Sequence, residues 1–318
     1  MQFEFLRLRF HFEAIDSIVF PAGKAANVVR GAFGTILRQI ACTPACTGNG
    51  HQPGCVYARI FEPKAAHREG PSGLADWPRP FVFRTAHLDS REIQSAGRFH
   101  LDVHLFDLAQ PSLSHFVQAL GQLAVEGLGP RRGRARLASV EQLSLDDAVA
   151  QRVFDGEKLA APLAPSAVSL TACGGPVGHA CVRFLTPTEL KSEDGLAEQP
   201  EFQVLFARIR DRLSTLAALY GAGPLAIDFR GMGERAAGVR MTHCALRSEH
   251  VARRSSRTGQ VHALGGFTGE AEYAGDLAEF LPYLRAARWT GVGRHTVWGN
   301  GEIRVVEQGA ESGNHATP

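Results

Sequence analysis

Gly291-Val292-Gly293-Arg294-His295-Thr296-Val297-Trp298-Gly299-Asn300-Gly301 sets two Gly-x-Gly pairs around a basic and aromatic segment. A dinucleotide-binding loop of similar composition follows a strand and opens a helix. Here a predicted helix over Gly275 to Ala287 comes first, and the stretch runs into a predicted strand over Thr296 to Val306. The dinucleotide reading therefore fails on context. Glycines at these places let the backbone approach a phosphate, and successive N–H groups can form an anion-binding concavity. A Gly-rich turn without a ligand is the other reading.

Working back from the loop, strands are expected near Gly238 to Leu246, Gly259 to Leu264 and Gly266 to Tyr273. A helix over Phe202 to Tyr220 precedes them, with Leu205, Ile209, Leu213, Leu216 and Leu219 on one side. Strands near Ala167 to Ala172 and Ala180 to Leu185 open this half. In the first half, apolar residues from Leu6 to Phe12 alternate with Arg7, Arg9 and His11, the period of a half-buried strand. After the turn at Pro21-Ala22-Gly23, Val29, Phe33, Ile36, Leu37 and Ile40 follow helical spacing. Gly31 and Gly34 cost that helix about 1 kcal/mol each relative to Ala, so close packing or a ligand is expected there. Thr43 to Pro80 reads as irregular; strands at Phe81 to Phe83 and Phe99 to Leu105, a helix over Ser112 to Leu128 and a strand over Arg134 to Val140 follow.

That order, strand, helix, strand, strand, helix, strand, is the ferredoxin-like or RNA-recognition-motif arrangement. The fold class is α+β, as a tandem of two such domains: residues 1–160, with the cysteine-containing loop, and residues 161–318, with the Gly-rich loop. The Pro- and Ala-rich run from Leu159 to Pro165 reads as the linker, and Gln308 to Pro318 as a frayed tail.

With 318 residues, 44% of them hydrophobic, the chain can fill two cores. Glu4, Arg7 and Arg9 interrupt the N-terminus where a signal peptide needs an apolar stretch, and nowhere do eighteen apolar residues run together. A soluble cytoplasmic protein without a membrane partner is expected. Cys42, Cys46, Cys55, Cys173, Cys181 and Cys244 are too few for a disulfide scaffold, which leaves reduced thiols or a metal site. A net charge of +2 does not by itself point to nucleic acid, but all except Lys24, Lys64, Lys158 and Lys191 of the 34 basic residues are arginines. Arginine favours bidentate phosphate recognition, although a G+C-rich genome enriches it too. The run Arg131, Arg132, Arg134 and Arg136 is either an RNA contact or a solvated loop.

Several segments together resemble one family. Gly265-Gly266-Phe267-Thr268-Gly269, Tyr273-Ala274-Gly275, Leu281-Pro282-Tyr283-Leu284 and the Gly-rich loop look like the signature of the CRISPR-associated precursor-crRNA-processing endoribonucleases of the RAMP superfamily. So do Phe184 to Lys191, Arg30-Gly31-Ala32-Phe33-Gly34 and Cys55 to Pro63. The resemblance implies two ferredoxin-like domains side by side with CRISPR repeat RNA, the crRNA precursor, in the groove between them. The expected RNA contacts are Arg30, Arg253, Arg254 and Arg257, with Gly291, Gly293, Arg294, His295, Gly299 and Gly301 of the loop. It implies metal-independent cleavage in which the ribose 2′-hydroxyl attacks the adjacent phosphorus, leaving a 2′,3′-cyclic phosphate and a 5′-hydroxyl on a retained product. A non-catalytic subunit that binds guide RNA within a multi-subunit interference complex is the alternative.

Such cleavage requires a general acid or base and a cation near the developing charge. The family's catalytic histidine often lies in or just after the first helix, near a tyrosine and a lysine. That helix has no histidine here, so His51, with Tyr57 and Lys64 after it, is the expected catalytic set, and His67, His11 and His295 stand behind it. Yet Cys42, Cys46, His51 and Cys55 also have the composition of a tetrahedral structural zinc site. Asn49 stands where family members often place a further cysteine. The two roles for His51 exclude each other.

Overall fold

A computed structural model describes residues 1–43, 46, 50–63, 77–108, 112–160, 163–172, 174–192, 195–249, 252–254, 261–263 and 265–306. The first half contains β1 (Gln2–Ala14), β2 (Ile18–Val19), α1 (Ala25–Ala41), α2 (Val56–Phe61), β3 (Phe81–Arg84), β4 (Glu92–Ile93), β5 (Arg98–Leu105), α3 (Leu113–Glu126), β6 (Ala135–Leu143) and β7 (Val149–Phe154). After β8 (Ser166–Ser169) come β9 (His179–Thr188), α4 (Phe202–Tyr220), α5 (Phe229–Ala236), β10 (Arg240–Glu249), β11 (Ala252–Arg254), β12 (Val261–Ala263), β13 (Gly266–Ala274), α6 (Leu281–Thr290) and β14 (Ile303–Val306).

The main sheets are antiparallel, ordered β3-β5-β1-β6-β7 and β10-β13-β9-β14. Taking β1, β3, β5, β6 and β9, β10, β13, β14 as the strands of two βαββαβ units, both sheets read fourth, first, third, second. This is the ferredoxin-like order found twice, with β7 added to the first edge and a separate β11–β12 hairpin between β10 and β13 in the chain.

The alternation in β1 has the consequence expected of it: Leu8, Phe10 and Phe12 are buried against the helices, while Arg7, Arg9 and His11 lie on the other face. Opposite them, Val29, Phe33, Ile36 and Leu37 of α1 and Phe116, Leu120 and Leu123 of α3 close the first core. Phe33 touches Phe83 edge-on at 5.4 Å and Phe116 at 4.9 Å; a phenylalanine buried in this way stabilises by roughly 2–3 kcal/mol. In the second core, Leu205, Ile209, Leu213 and Leu216 of α4 meet Val182 of β9, Ala271 of β13 and Leu284 of α6.

The units interlock. Phe3, Phe5, Val82 and Phe106 contribute to the second core and Val297 to the first. Arg7 stacks on Trp289 at 4.4 Å, and His104 Nδ1 donates to the Trp289 carbonyl at 2.8 Å.

Some boundaries move. The stretch expected to be irregular contains α2, and neither α5 nor β7 was anticipated. The last helix begins at Leu281, with Pro282 in its first turn, rather than at Gly275. The last strand shortens to β14 because Thr296–Trp298 winds into a 3-10 turn. The strand expected near Ala167 exists as β8, but it pairs with Gln2–Phe5 of β1. Among the described residues, no helix is long and apolar enough to cross a membrane.

Candidate functional site

The Gly-rich loop leaves α6 at Gly291 and lies on the end of β9. Arg294 N–H donates to the Glu189 carbonyl at 2.9 Å, Gly301 N–H to Pro187 at 3.0 Å, and Thr186 Oγ1 to Gly299 at 2.8 Å. Backbone proximity explains two of the glycines: a Cβ at Gly293 would lie 2.3 Å from the Glu189 oxygen, and one at Gly301 1.9 Å from the Val292 oxygen. Both have positive φ. His295 also sits in the left-handed region, turning its ring to 5.0 Å from Trp298. Glu189 pairs with Arg294 and lies 3.9 Å from His295 Nε2.

Between the loop and the first unit is a cleft of about 260 Å³, lined by Ala26 and Asn27 at the start of α1, Arg84 at the end of β3, and Thr186, Trp298 and Glu302. Arg84 is buried, donates to the carbonyls of Arg288 at 3.0 Å and Gly299 at 3.5 Å, and faces Glu302 at 3.6 Å. Burial holds its pKa below the usual guanidinium value. Arg30 of α1 is also buried, with its guanidinium 4.4 Å from the Phe61 ring and 4.4 Å from the Trp298 ring.

Arg253 and Arg254 lie on β11, paired with His262 and Val261 of β12; the backbone of that hairpin is described, its side chains are not. Arg257 lies outside the described residues. The run at Arg131 to Arg136 is engaged by the protein itself. Arg134 pairs with Asp16 at 2.7 Å, Arg136 with Glu13 at 2.8 Å and Arg131 with Glu92 at 3.6 Å, and Arg132 donates to the Glu126 carbonyl at 2.9 Å.

The cysteine loop brings its donors together. Cys42 caps the C-terminus of α1 and Cys55 the N-terminus of α2. The Cys42 and Cys55 sulfurs are 3.8 Å apart, and each is 3.6 Å from His51 Nδ1. With Cys46, the four ligand atoms all fall within 4.8 Å of one another. Burial and the adjacent Cys55 thiol push Cys42 up to about 12, whereas the Gln52 backbone N–H and the His51 ring hold Cys46 down to about 6. On its other side His51 Nε2 is 3.6 Å from Glu62 Oε2, and Glu62 Oε1 accepts from the buried Tyr57 hydroxyl at 3.1 Å. Lys64, His67 and Asn49 lie outside the described residues. His11 sits elsewhere, on β1, with Nε2 2.9 Å from Glu141. Sequence reading had no signal for Glu62 beside His51, nor for the stacking of Phe61, Arg30 and Trp298, since spacing along the chain does not say which of these side chains meet.

Residues 182–303, which carry the β9 end, the hairpin and the Gly-rich loop, match the family model of the CRISPR-associated endoribonuclease Cas6. This stretch of the chain is similar to the Cas6 family. Residues 3–166 match a second family model, described as an N-terminal domain. No curated protein matches the chain in sequence. Among solved structures it is similar to a Cas6 product complex (18% identity, TM-score 0.55, covering 95% of this chain and 99% of that one) and to Thermus thermophilus Cas6 (18%, 0.51, 96% and 99%). It is also similar to part of a chain in a partial Cas6-RT-Cas1–Cas2 complex (13%, 0.56, covering 98% of this chain and 47% of that one). At such identities the likeness concerns the fold, and it agrees with the strand order: the chain has a tandem ferredoxin-like architecture.

Proposed function

We propose that the chain cleaves CRISPR repeat RNA in a precursor transcript by attack of the ribose 2′-hydroxyl, leaving a 2′,3′-cyclic phosphate and a 5′-hydroxyl, and that it retains the product. The observation carrying this reading is the cleft between two RNA-recognition-like units, bordered by a Gly-rich loop within the segment that matches the Cas6 model. Residues 1–160 and 161–318 are taken as the two RNA-binding units. Arg253, Arg254 and Arg257 of the hairpin and Arg294 of the loop would supply salt-sensitive phosphate affinity, while hairpin shape or base contacts give specificity.

In-line attack by the 2′-hydroxyl needs proton transfer but no metal-bound nucleophile. His51 was expected to transfer that proton, with Tyr57 and Lys64 beside it. Its ring nitrogens, however, face two thiols and the Glu62 carboxylate, surroundings that suit a ligand to a structural zinc ion better than a proton shuttle. The proton-transfer role then falls to His295, in the loop that borders the cleft. The second reading, a guide-RNA-binding subunit without cleavage, draws support from one observation: no histidine is among the described residues lining the cleft.

Incubating the isolated protein with a hairpin repeat RNA in EDTA and mapping the ends separates them. Cleavage leaving a cyclic phosphate, slowed about 10²- to 10⁴-fold by His295→Ala, is the expected result. RNA bound tightly but left uncut favours the subunit.

A further inference from the structure

The cysteine loop and the Gly-rich loop belong to different units and are far apart in sequence, yet a continuous set of contacts joins them. We propose that Cys42, Cys46, Cys55 and His51 bind a zinc ion that positions the Gly-rich loop through Phe61, Arg30 and Trp298; its bearing on RNA rests on the function proposed above.

The donor spacing fits a tetrahedral zinc ion. Zinc–sulfur bonds of about 2.3 Å and zinc–nitrogen bonds of about 2.0 Å in a tetrahedron separate two sulfurs by about 3.8 Å and a sulfur from a nitrogen by about 3.5 Å. The corresponding separations here are 3.8 Å for the two sulfurs and 3.6 Å for both sulfur–nitrogen pairs. A disulfide would need its sulfurs about 2.05 Å apart, so Cys42 and Cys55 are spaced as co-ligands rather than as a bridge. Three thiolates and one neutral imidazole complete the set, the thiols releasing their protons as the metal binds. With Nδ1 on the metal, His51 carries its remaining proton on Nε2, where Glu62 faces it, and the Tyr57 hydroxyl in turn holds Glu62. Tyr57 thereby becomes a residue that orients the ligand shell.

A mechanical connection runs from this site to the Gly-rich loop. Cys42 and Cys55 stand at adjoining helix ends, so a shared metal fixes α2 against α1. At the far end of α2, Phe61 enters the notch above Gly34, where a Cβ would approach its ring atoms to 2.1 Å. Phe61 forms one wall for the Arg30 guanidinium, and Trp298 of the Gly-rich loop the other. Cation–π contact of this kind strengthens when water is excluded, and losing one wall weakens the arginine's hold on the other. Without the metal, six-residue α2 lacks the length to hold itself, because helices much shorter than about 12 residues are marginal alone.

Metal analysis of the purified full chain, joined to hydrogen exchange of residues 291–301 in the RNA-free protein, tests both the site and the connection. The expected result is stoichiometric zinc, lost in Cys42→Ser, with loop amides exchanging about tenfold faster once zinc is gone. Glu62→Gln should weaken zinc binding by about 10- to 100-fold, and His51→Cys, which supplies a fourth thiolate, should keep both metal and loop protection. Phe61→Leu should retain zinc but reproduce the fast loop exchange, which separates the connection from general unfolding. A chain that purifies without zinc and takes none up, or loop exchange unchanged after zinc removal, overturns the proposal. Neither readout uses RNA, so failure of the protein to bind repeat RNA would refute the proposed function and leave these results to be judged separately.

Discussion

Each unit follows its first long helix with a short second one, and the two short helices are secured by unlike chemistry. α2 runs from Val56 to Phe61, whose ring occupies the space a side chain at position 34 would need. α5 is capped by Asp228, whose carboxylate accepts the Gly231 N–H at 2.9 Å; Arg210 donates to the Phe229 carbonyl at 2.6 Å, and Arg235 grips Glu279 with two nitrogens. The first attachment is aromatic and close-packed, so it has no room for an added carbon; the second is polar and near solvent, where single contacts are weak and replaceable. The seam between the units differs again, relying on buried cationic and imidazole groups that meet backbone carbonyls. A topology used twice therefore fails in different ways under different stresses.

Acid should attack the seam first and hardest. Burial, reinforced by the nearby Arg84 charge, holds His104 down to about 3, against an ordinary 6.5. A histidine lowered in this way binds its proton more readily in the unfolded chain, so its contribution is intact above about pH 6.5 and is lost as the pH falls toward 3. Between pH 6.5 and 4 the loss should reach about 3 kcal/mol, at about 1.4 kcal/mol per pH unit. Denaturant melts across that range should show the decline, and His104→Gln should flatten a large part of it. His100, lowered to about 4 by burial, leaves a smaller remaining slope. An undiminished slope in the variant would move the acid sensitivity away from the seam.

The contrast between the short helices can be broken with one methyl group on each side. Gly34→Ala should destabilise by about 1–3 kcal/mol, because the Phe61 ring must move. Gly233→Ala in α5 meets only the end of Arg210 at 3.6 Å and should stabilise by up to about 1 kcal/mol through helix propensity. Equal effects in thermal melts would erase the distinction.

The smallest effect belongs to the exposed basic run. Arg134→Ala removes a solvent-exposed pair with Asp16 and should leave thermal stability almost unchanged. Repeat-RNA affinity measured by filter binding should not change, since Asp16 already answers that charge; a clear loss of affinity would return the run to the RNA interface.

The tandem architecture was legible because alternation in β1 and helical spacing in α1 and α4 state directly which face is buried. The last strand was overread: Thr296, Val297 and Trp298 have strand-like side chains, but positive φ at His295 and Gly299 winds them into a turn. α2 was missed because a six-residue helix has too short a period to register, and its stability comes from contacts made elsewhere. At the cysteine loop the spacing identified the four donors but left two roles open for His51. Which nitrogen faces sulfur, and that Glu62 waits on the other side, are properties of the folded loop alone.

β1 belongs to both units, and this orders events during synthesis. Its later residues pair with β5 and β6, whereas Gln2–Phe5 must wait for β8, some 160 residues further along the chain. Phe3 and Phe5 moreover find their apolar partners in the second core, with Val182 and Ile209. As the chain emerges from the ribosome, the first unit can thus assemble around the back of the strand while its leading end still exposes two phenylalanines. Chaperone capture at that end, or association between nascent chains, is the hazard built into a strand of the first unit that is completed only by the second.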